Sequence, residues 1–118
     1  MRVKRIKNNS IKINTIFVIS TKKQFLKFIK KNYSKAFYKD IDNFFKERSY
    51  TGLQTVSRSG DCIIWIKKNS KDKMLSTAVH EISHLIDCIN YNRQFDDGEV
   101  SAYFSEYYFN EFLKMIKK

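Results

Sequence analysis

The apolar residues in the first half of the chain follow a two-residue period and then a helical period. Residues 11–20 alternate between apolar and polar side chains, which predicts a β-strand. Thr21 is a suitable N-cap for a following helix, because its hydroxyl can accept a hydrogen bond from the first turn. A second helical pattern covers residues 37–46 and ends before Thr51-Gly52.

The second half of the chain predicts a hairpin followed by two long helices. Residues 53–58 and 62–67 are strand-like runs on either side of the turn sequence 59–61. Apolar residues then recur at helical spacing over residues 73–90 and 98–116. These elements predict one α+β domain over residues 1–118, in which a small sheet with a hairpin edge packs on helix 73–90 and the C-terminal helix closes the fold.

Helix 73–90 has two chemically different faces. Its apolar face carries Leu75, Ala78, Val79, Ile82, Leu85, Ile86 and Ile89. The other face carries Thr77, His80, Glu81, His84, Asp87 and Cys88. The chain is rich in lysine, yet none occurs between Lys73 and Arg93. We therefore expect the polar face to meet something other than bulk water.

The two histidines of the chain lie four residues apart, in the sequence His80-Glu81-Ile82-Ser83-His84. Four residues are just over one helical turn, so both imidazoles leave the same face and can share one zinc ion. Glu81 lies about 100° round the helix from His80, at the border of that face. It can therefore reach a water molecule at the metal and take its proton, which is the chemistry of the H-E-x-x-H helix.

A catalytic zinc needs a third protein ligand, which here must be a carboxylate or a thiolate because there is no third histidine. The downstream candidates are Asp87, Cys88, Asp96, Asp97, Glu99, Glu106 and Glu111. Glu99 is preferred, because it opens the last helix after a turn-rich stretch and Ala102, one turn later, permits a close helix approach. Glu106 is the alternative ligand. Glu99 with Asp96 also fits a capping box, which would give it a local structural role.

Asp87 lies on the same helix as the histidines and cannot readily complete the coordination. It could accept a hydrogen bond from a ligand imidazole and fix its tautomer. The alternative is an ordinary exposed carboxylate.

The two motifs on the last two helices together resemble those of a known group of enzymes. His80-Glu81-x-x-His84 followed by Glu99-x-x-Ala102 resembles the gluzincin pattern of the zincin metallopeptidases. The resemblance implies a minimal zincin-like fold, a zinc cofactor held by the two histidines and Glu99, and Glu81 as the general base of a peptide hydrolase.

Residues 78–87 and 99–107 are also similar to those of small metallopeptidases carried by phages and prophages. Many zincins use a histidine or tyrosine to stabilise the oxyanion. With no further histidine, that role is open in this chain. Tyr103 and Tyr107 are possible donors, although both are more often core or rim aromatics.

In zincins, the strand before the motif helix usually forms the sheet edge beside the cleft, where an extended substrate pairs with it. Residues 62–66 hold that place in this sequence. We therefore expect them to form the edge strand. Trp65 could line a subsite, although a single tryptophan on a strand is more often a core residue.

The chain has a formal net charge of +11, with five arginines and 18 lysines. Such a charge suggests nucleic-acid binding. Abundant lysine, asparagine and isoleucine together with the absence of proline are also typical of an AT-rich genome, so nucleic-acid binding is possible but not favoured. The alternative to a peptidase is thus a basic protein that binds nucleic acid or a host factor, with a structural or vestigial metal site.

Cys62 and Cys88 do not make a disulfide framework, and both are expected to be reduced. The chain shows no apolar run of transmembrane length, and residues 11–20 lack the continuous apolar block of a signal peptide. A cytoplasmic location follows by default, the host cytoplasm if the chain is phage-encoded. The expected partner is a protein or peptide substrate.

Overall fold

The computed structural model describes residues 1–8, 12–47, 49–93 and 98–117, with only the backbone described for residues 92, 93, 99 and 100. In chain order the elements are β1 (Arg2–Asn8), β2 (Ile13–Ser20), α1 (Lys22–Asn32), α2 (Lys35–Glu47), β3 (Gly52–Val56), β4 (Cys62–Lys67), α3 (Lys71–Arg93) and α4 (Gly98–Ile116). The predicted α+β class is confirmed, as are the hairpin and the four helices. That the chain forms a single domain stays a prediction.

The four strands form one mixed sheet in the order β1-β2-β4-β3. β1 and β2 are antiparallel, β2 and β4 are parallel, and β3 and β4 are antiparallel. The prediction that residues 62–66 form the sheet edge is therefore wrong, because β4 lies between two strands. Its five consecutive buried residues, Cys62 to Ile66, have the composition of a strand covered on both faces. The edge strand is β3.

Both faces of the sheet are covered by helices. On one face Phe17, Ile64 and Ile66 pack with α3 and α4. On the opposite face, Ile63 and Trp65 pack with α1 and α2. Successive residues of β2 and β4 alternate between these two cores, as the strand period requires.

Trp65 belongs to the core on the α1 and α2 face and is fully buried. Its indole stacks on Phe25 with ring centroids 5.4 Å apart. The indole Nε1–H donates a hydrogen bond of 3.2 Å to the hydroxyl of Ser20. The suggestion that Trp65 lines a subsite is therefore wrong, because the sheet separates this face from the histidine helix.

Strand β1 was not predicted from the sequence. Of its residues only Ile6 is buried, and the others are mostly charged. It forms the edge opposite β3, where Lys4 is ion-paired with Glu111 and the guanidinium of Arg2 donates to the carbonyl of Met115. Charged residues are typical of edge strands, since they oppose pairing with other chains, but they hide the apolar alternation.

Helix α1 begins as predicted. Thr21 accepts a hydrogen bond from the backbone of Gln24, whose side chain accepts one from the backbone of Thr21, forming a capping box. In α3 the apolar face is as predicted except at Val79, which is 57% exposed. Among the described residues, no helix has the length and apolar content needed to cross a membrane.

Candidate metal site

The middle of α3 presents the two histidines to solvent on one face. Both imidazoles are exposed, and their Nε2 atoms are 3.2 Å apart. Their rings are nearly perpendicular, with centroids separated by 4.7 Å. The helix reaches this geometry because Ala78, Ile82 and Leu85, on its opposite side, are buried against the sheet.

The separation of the two nitrogen atoms fits a tetrahedral ion. Two Zn–N bonds of about 2.0–2.1 Å at the tetrahedral angle place the nitrogens about 3.3 Å apart. The observed 3.2 Å, at which the two imidazoles are within hydrogen-bond distance of each other, is close to that separation. Within the described residues, His80, Glu81 and His84 form one group whose ligand atoms all lie within 4.8 Å of one another. The donor set is therefore suited to a metal ion.

Glu81, unlike the histidines, is buried, with 6% of its surface exposed. It lies where α3 passes the start of β3. A Cβ atom built on Gly52 would be 3.0 Å from Cγ of Glu81 and 2.4 Å from Cγ2 of Thr77. Only glycine permits this close approach of strand and helix, and the approach encloses the Glu81 side chain.

The free edge of β3 faces this carboxylate. The N–H of Lys67 donates to the carbonyl of Thr51. In an antiparallel pair alternate residues form the backbone hydrogen bonds, so within β3 it is Leu53 and Thr55 that bond to β4. The N–H and C=O groups of Gly52, Gln54 and Val56 therefore point away from β4. The backbone N–H of Gln54 donates a hydrogen bond to the Glu81 carboxylate.

Burial raises the pKa of Glu81 above its ordinary value. The imidazoles of His80 and His84 and the hydrogen bond from Gln54 oppose that shift only in part. A carboxylate with a raised pKa is a stronger base than an exposed one, so the position of Glu81 is suited to proton transfer.

Helix α4 begins at Gly98 and places Glu99 in its first turn, as predicted. The side chain of Glu99 lies outside the described residues, as do Asp96 and Asp97 in full. The assignment of Glu99 as the third ligand stays a prediction.

Two of the other carboxylates considered from the sequence line a groove between α3 and α4. Asp87, Glu106 and Val79 are exposed there, and the half-buried Phe109 also lines the groove. Among the described side chains, Asp87 makes no hydrogen bond to either imidazole, and neither carboxylate joins the group of His80, Glu81 and His84. Their roles as orienting group and alternative ligand stay predictions.

The two tyrosines considered as oxyanion donors differ in exposure. Tyr103 is 65% exposed and packs edge-on against Phe104, whereas Tyr107 is half-buried against Tyr108. The role of either tyrosine as an oxyanion donor stays a prediction.

Cys62 is buried and Cys88 is half-buried beside it. Burial, and then the neighbouring Cys88, raise the pKa of the Cys62 thiol to about 12. This thiol is therefore protonated at neutral pH in the metal-free protein.

Two residues of the site were missed in the sequence. Gly52 was interpreted only as a helix breaker. The hydrogen bond from the Gln54 backbone to Glu81 was missed because it depends on strand order rather than on the type of residue. A glycine at the start of a strand is a signal of close backbone approach, which could have drawn attention to Gly52.

No model of a known protein family matches the chain, and neither does any curated protein or solved structure. What the structure establishes is thus a possible metal-binding group, His80, Glu81 and His84, on a helix of an α+β fold.

Replacing Gly52 with alanine should separate β3 from α3. The added Cβ would lie 2.4 Å from Cγ2 of Thr77, which real contacts do not allow, and 3.0 Å from Cγ of Glu81, which is a tight contact, so we expect a loss of about 1–3 kcal/mol in the free energy of unfolding. Urea unfolding measures this loss. Gly98→Ala is the matched control, since its Cβ would meet no atom within 4 Å. The added variant Thr77→Ser should restore part of the loss, and equal stability of Gly52→Ala and the wild type would contradict the close approach.

Glu81→Gln should stabilise the metal-free protein against heat. Because burial raises the pKa of Glu81, its ionisation disfavours the folded state. That cost is absent below the unfolded-state pKa of about 4.3 and grows as the pH rises through the folded-state pKa. In a chelator, the Tm of Glu81→Gln should exceed that of the wild type most at about pH 8 and least at about pH 4.

The matched control for this experiment is Asp87→Asn, which removes an exposed carboxylate from the same helix. Its Tm difference from the wild type should not follow the pattern of Glu81→Gln. A Tm difference for Glu81→Gln that is constant with pH, or that reverses, would show that the carboxylate carries no burial cost.

Proposed function

We propose that this protein is a zinc-dependent peptidase in which His80, His84 and Glu99 bind the metal and Glu81 is the general base. The proposal includes the gluzincin-like ligand set and a protein or peptide substrate. It rests above all on one observation, the position of Glu81 between the imidazole pair and the free edge of β3.

This position supports catalysis rather than a purely structural metal site. A structural site needs ligands and no base, and four-coordinate closed sites leave no room for a water molecule. Here a buried carboxylate with a raised pKa lies within 4.8 Å of both ligand nitrogens, at a cost in stability. A base at that position is what hydrolysis requires.

A zinc ion bound at the two imidazoles would supply a Lewis acid that polarises the scissile carbonyl and lowers the pKa of water toward neutrality. The chain supplies the proton transfer. Glu81 takes a proton from the attacking water and delivers it to the nitrogen of the leaving amine. Burial against Gly52 fixes its carboxylate for both steps.

The edge of β3 supports an extended peptide as the substrate. The outward N–H and C=O groups of Val56, at the exposed end of β3, can pair with a strand laid along this edge, while the Gln54 N–H is occupied by Glu81 and Gly52 is buried against α3. Such pairing binds the backbone of the substrate and leaves its side chains to determine specificity. It also brings the substrate backbone beside the imidazole pair.

The purified protein should contain one zinc ion per chain, and His84→Ala should lose it. One imidazole with one carboxylate does not retain zinc as firmly as two imidazoles with a carboxylate. Elemental analysis after dialysis measures the content. Glu99→Ala should weaken zinc binding more than Glu106→Ala, and the reverse order would make Glu106 the third ligand. Metal-free wild type under zinc-supplemented expression would remove the basis of the proposal.

Glu81→Gln should retain zinc and abolish peptide hydrolysis. The amide is nearly isosteric with the carboxylate but cannot accept the proton of the water, so we expect a loss of about 10² to 10⁴ in kcat/KM. Hydrolysis of a mixture of quenched fluorescent peptides, with and without chelator, measures it. Asp72→Asn removes an exposed carboxylate from the first turn of the same helix and should leave the rate unchanged. Chelator-sensitive hydrolysis at the wild-type rate in Glu81→Gln would exclude Glu81 as the base.

A further inference from the structure

The excess of basic over acidic residues in this chain is confined to the first third of the sequence. Residues 1–39 contain twelve basic and no acidic residues, whereas the rest of the chain contains eleven basic and twelve acidic residues. Residues 1–39 therefore carry a charge of +12 and the rest of the chain −1, which sum to the net charge of +11. Residues 1–39 include β1, β2, α1 and the start of α2. An AT-rich genome would enrich lysine throughout the chain, but it would not remove every acidic residue from one third of it.

The fold gathers this charge around β1. A groove of about 730 Å³ separates β1 from α1, and Arg5, Lys27 and Lys31 line it. All three side chains are exposed. Within the described residues, neither Lys27 nor Lys31 is ion-paired with a carboxylate. The groove thus holds uncompensated positive charge.

Polar and aromatic groups complete this groove. The side-chain amides of Gln24 and Asn32 lie along its α1 wall, and the Phe28 ring forms part of its floor. The guanidinium of Arg5 lies 5.9 Å from the centroid of the Phe28 ring, which positions this cation. The Asn32 amide donates to the carbonyl of Phe28 and the Gln24 amide oxygen accepts from the backbone of Thr21, so the positive charge is the main feature that the groove offers to a ligand.

A second groove lies on the other side of β1, against α4. It has a volume of about 720 Å³ and is lined by Arg2, Lys4, Lys114 and Lys117. Glu111 is ion-paired with both Lys4 and Lys114, so one carboxylate compensates only part of this charge. Basic grooves therefore flank both faces of the β1 edge.

We propose that the β1 edge, with the β1–α1 groove as its main contact, binds nucleic acid through the phosphate backbone and without sequence preference. Regularly spaced phosphates match uncompensated cations along a groove. Ten of the twelve basic residues in 1–39 are lysines, which contact phosphates as point charges and seldom read base edges. A concave groove admits a chain of phosphates, whereas a membrane surface is flat and would meet only its rim.

This surface is separate from the candidate metal site. β1 and β3 are the two opposite edges of the sheet, with β2 and β4 between them. Bound nucleic acid would leave the His80 and His84 face open. The proposal is thus independent of the peptidase proposal and stands or fails by itself.

Fluorescence anisotropy with labelled single- and double-stranded DNA, at several salt concentrations, tests the proposal. The full chain should bind saturably, with log K falling linearly with log salt and with little dependence on sequence. The variant Lys27→Gln with Lys31→Gln should reduce the steepness of that slope by about 2 for duplex DNA, and weaken binding roughly 10- to 30-fold at 150 mM salt. Both lysines are exposed helix residues, and circular dichroism should show an unchanged fold.

The matched control is Lys46→Gln with Arg58→Gln. It removes the same charge, but these cations are paired with Asp42 and Asp40. It should bind DNA like the wild type. Equal weakening in both double variants would show a response to net charge alone and would overturn the proposal, as would the absence of saturable binding. Tighter binding to phosphatidylserine vesicles or to polyglutamate than to DNA at equal salt would also overturn it, in favour of a membrane or an acidic protein partner.

Discussion

The close approach of β3 to α3 at Gly52 is the contact on which the site depends. It buries Glu81 while His80 and His84, on the adjacent face of the helix, stay exposed. Side chains that bind a metal ion from solution must be exposed to solvent. Burial of a carboxylate raises its pKa and makes it a stronger base. One packing contact therefore gives neighbouring residues of the same helix the two opposite environments that the proposed chemistry needs.

The sheet determines where that contact falls. β4 is central, and the short connection 68–70 returns the chain along the sheet as α3, so that Ala78 and Ile82 pack in the same core as Ile64 and Ile66. β3 is antiparallel to β4, with Gly52 opposite Ile66. A shift of one residue in this register would turn every side chain of β3 to the other face and would place the Gln54 N–H against β4. The site is thus a consequence of strand pairing.

Features that depend on residues close together in the sequence could be predicted, whereas the order of the strands in the sheet could not. The N-cap at Thr21, the hairpin around Gly60 and the helical spacing of the two histidines all depend on residues near one another in sequence. The edge position of β3 depends on pairing between β2 and β4, which are distant in the chain. Charged residues also concealed β1, because their long side chains on an edge strand give no apolar alternation.

Burial of Glu81 links stability to function in the peptidase proposal. The same desolvation that strengthens the carboxylate as a base makes its ionised form costly in the folded, metal-free protein. A divalent cation bound beside Glu81 would reduce that cost, because opposite charge favours the ionised carboxylate. A cation that binds only the folded state would also stabilise it by mass action. Under the peptidase proposal, the metal-free chain would therefore be less stable than the metal-bound form. A site without a proton-transfer role would gain nothing from this arrangement, because glutamine at the same position would keep the packing and the hydrogen bond from Gln54 without the charge.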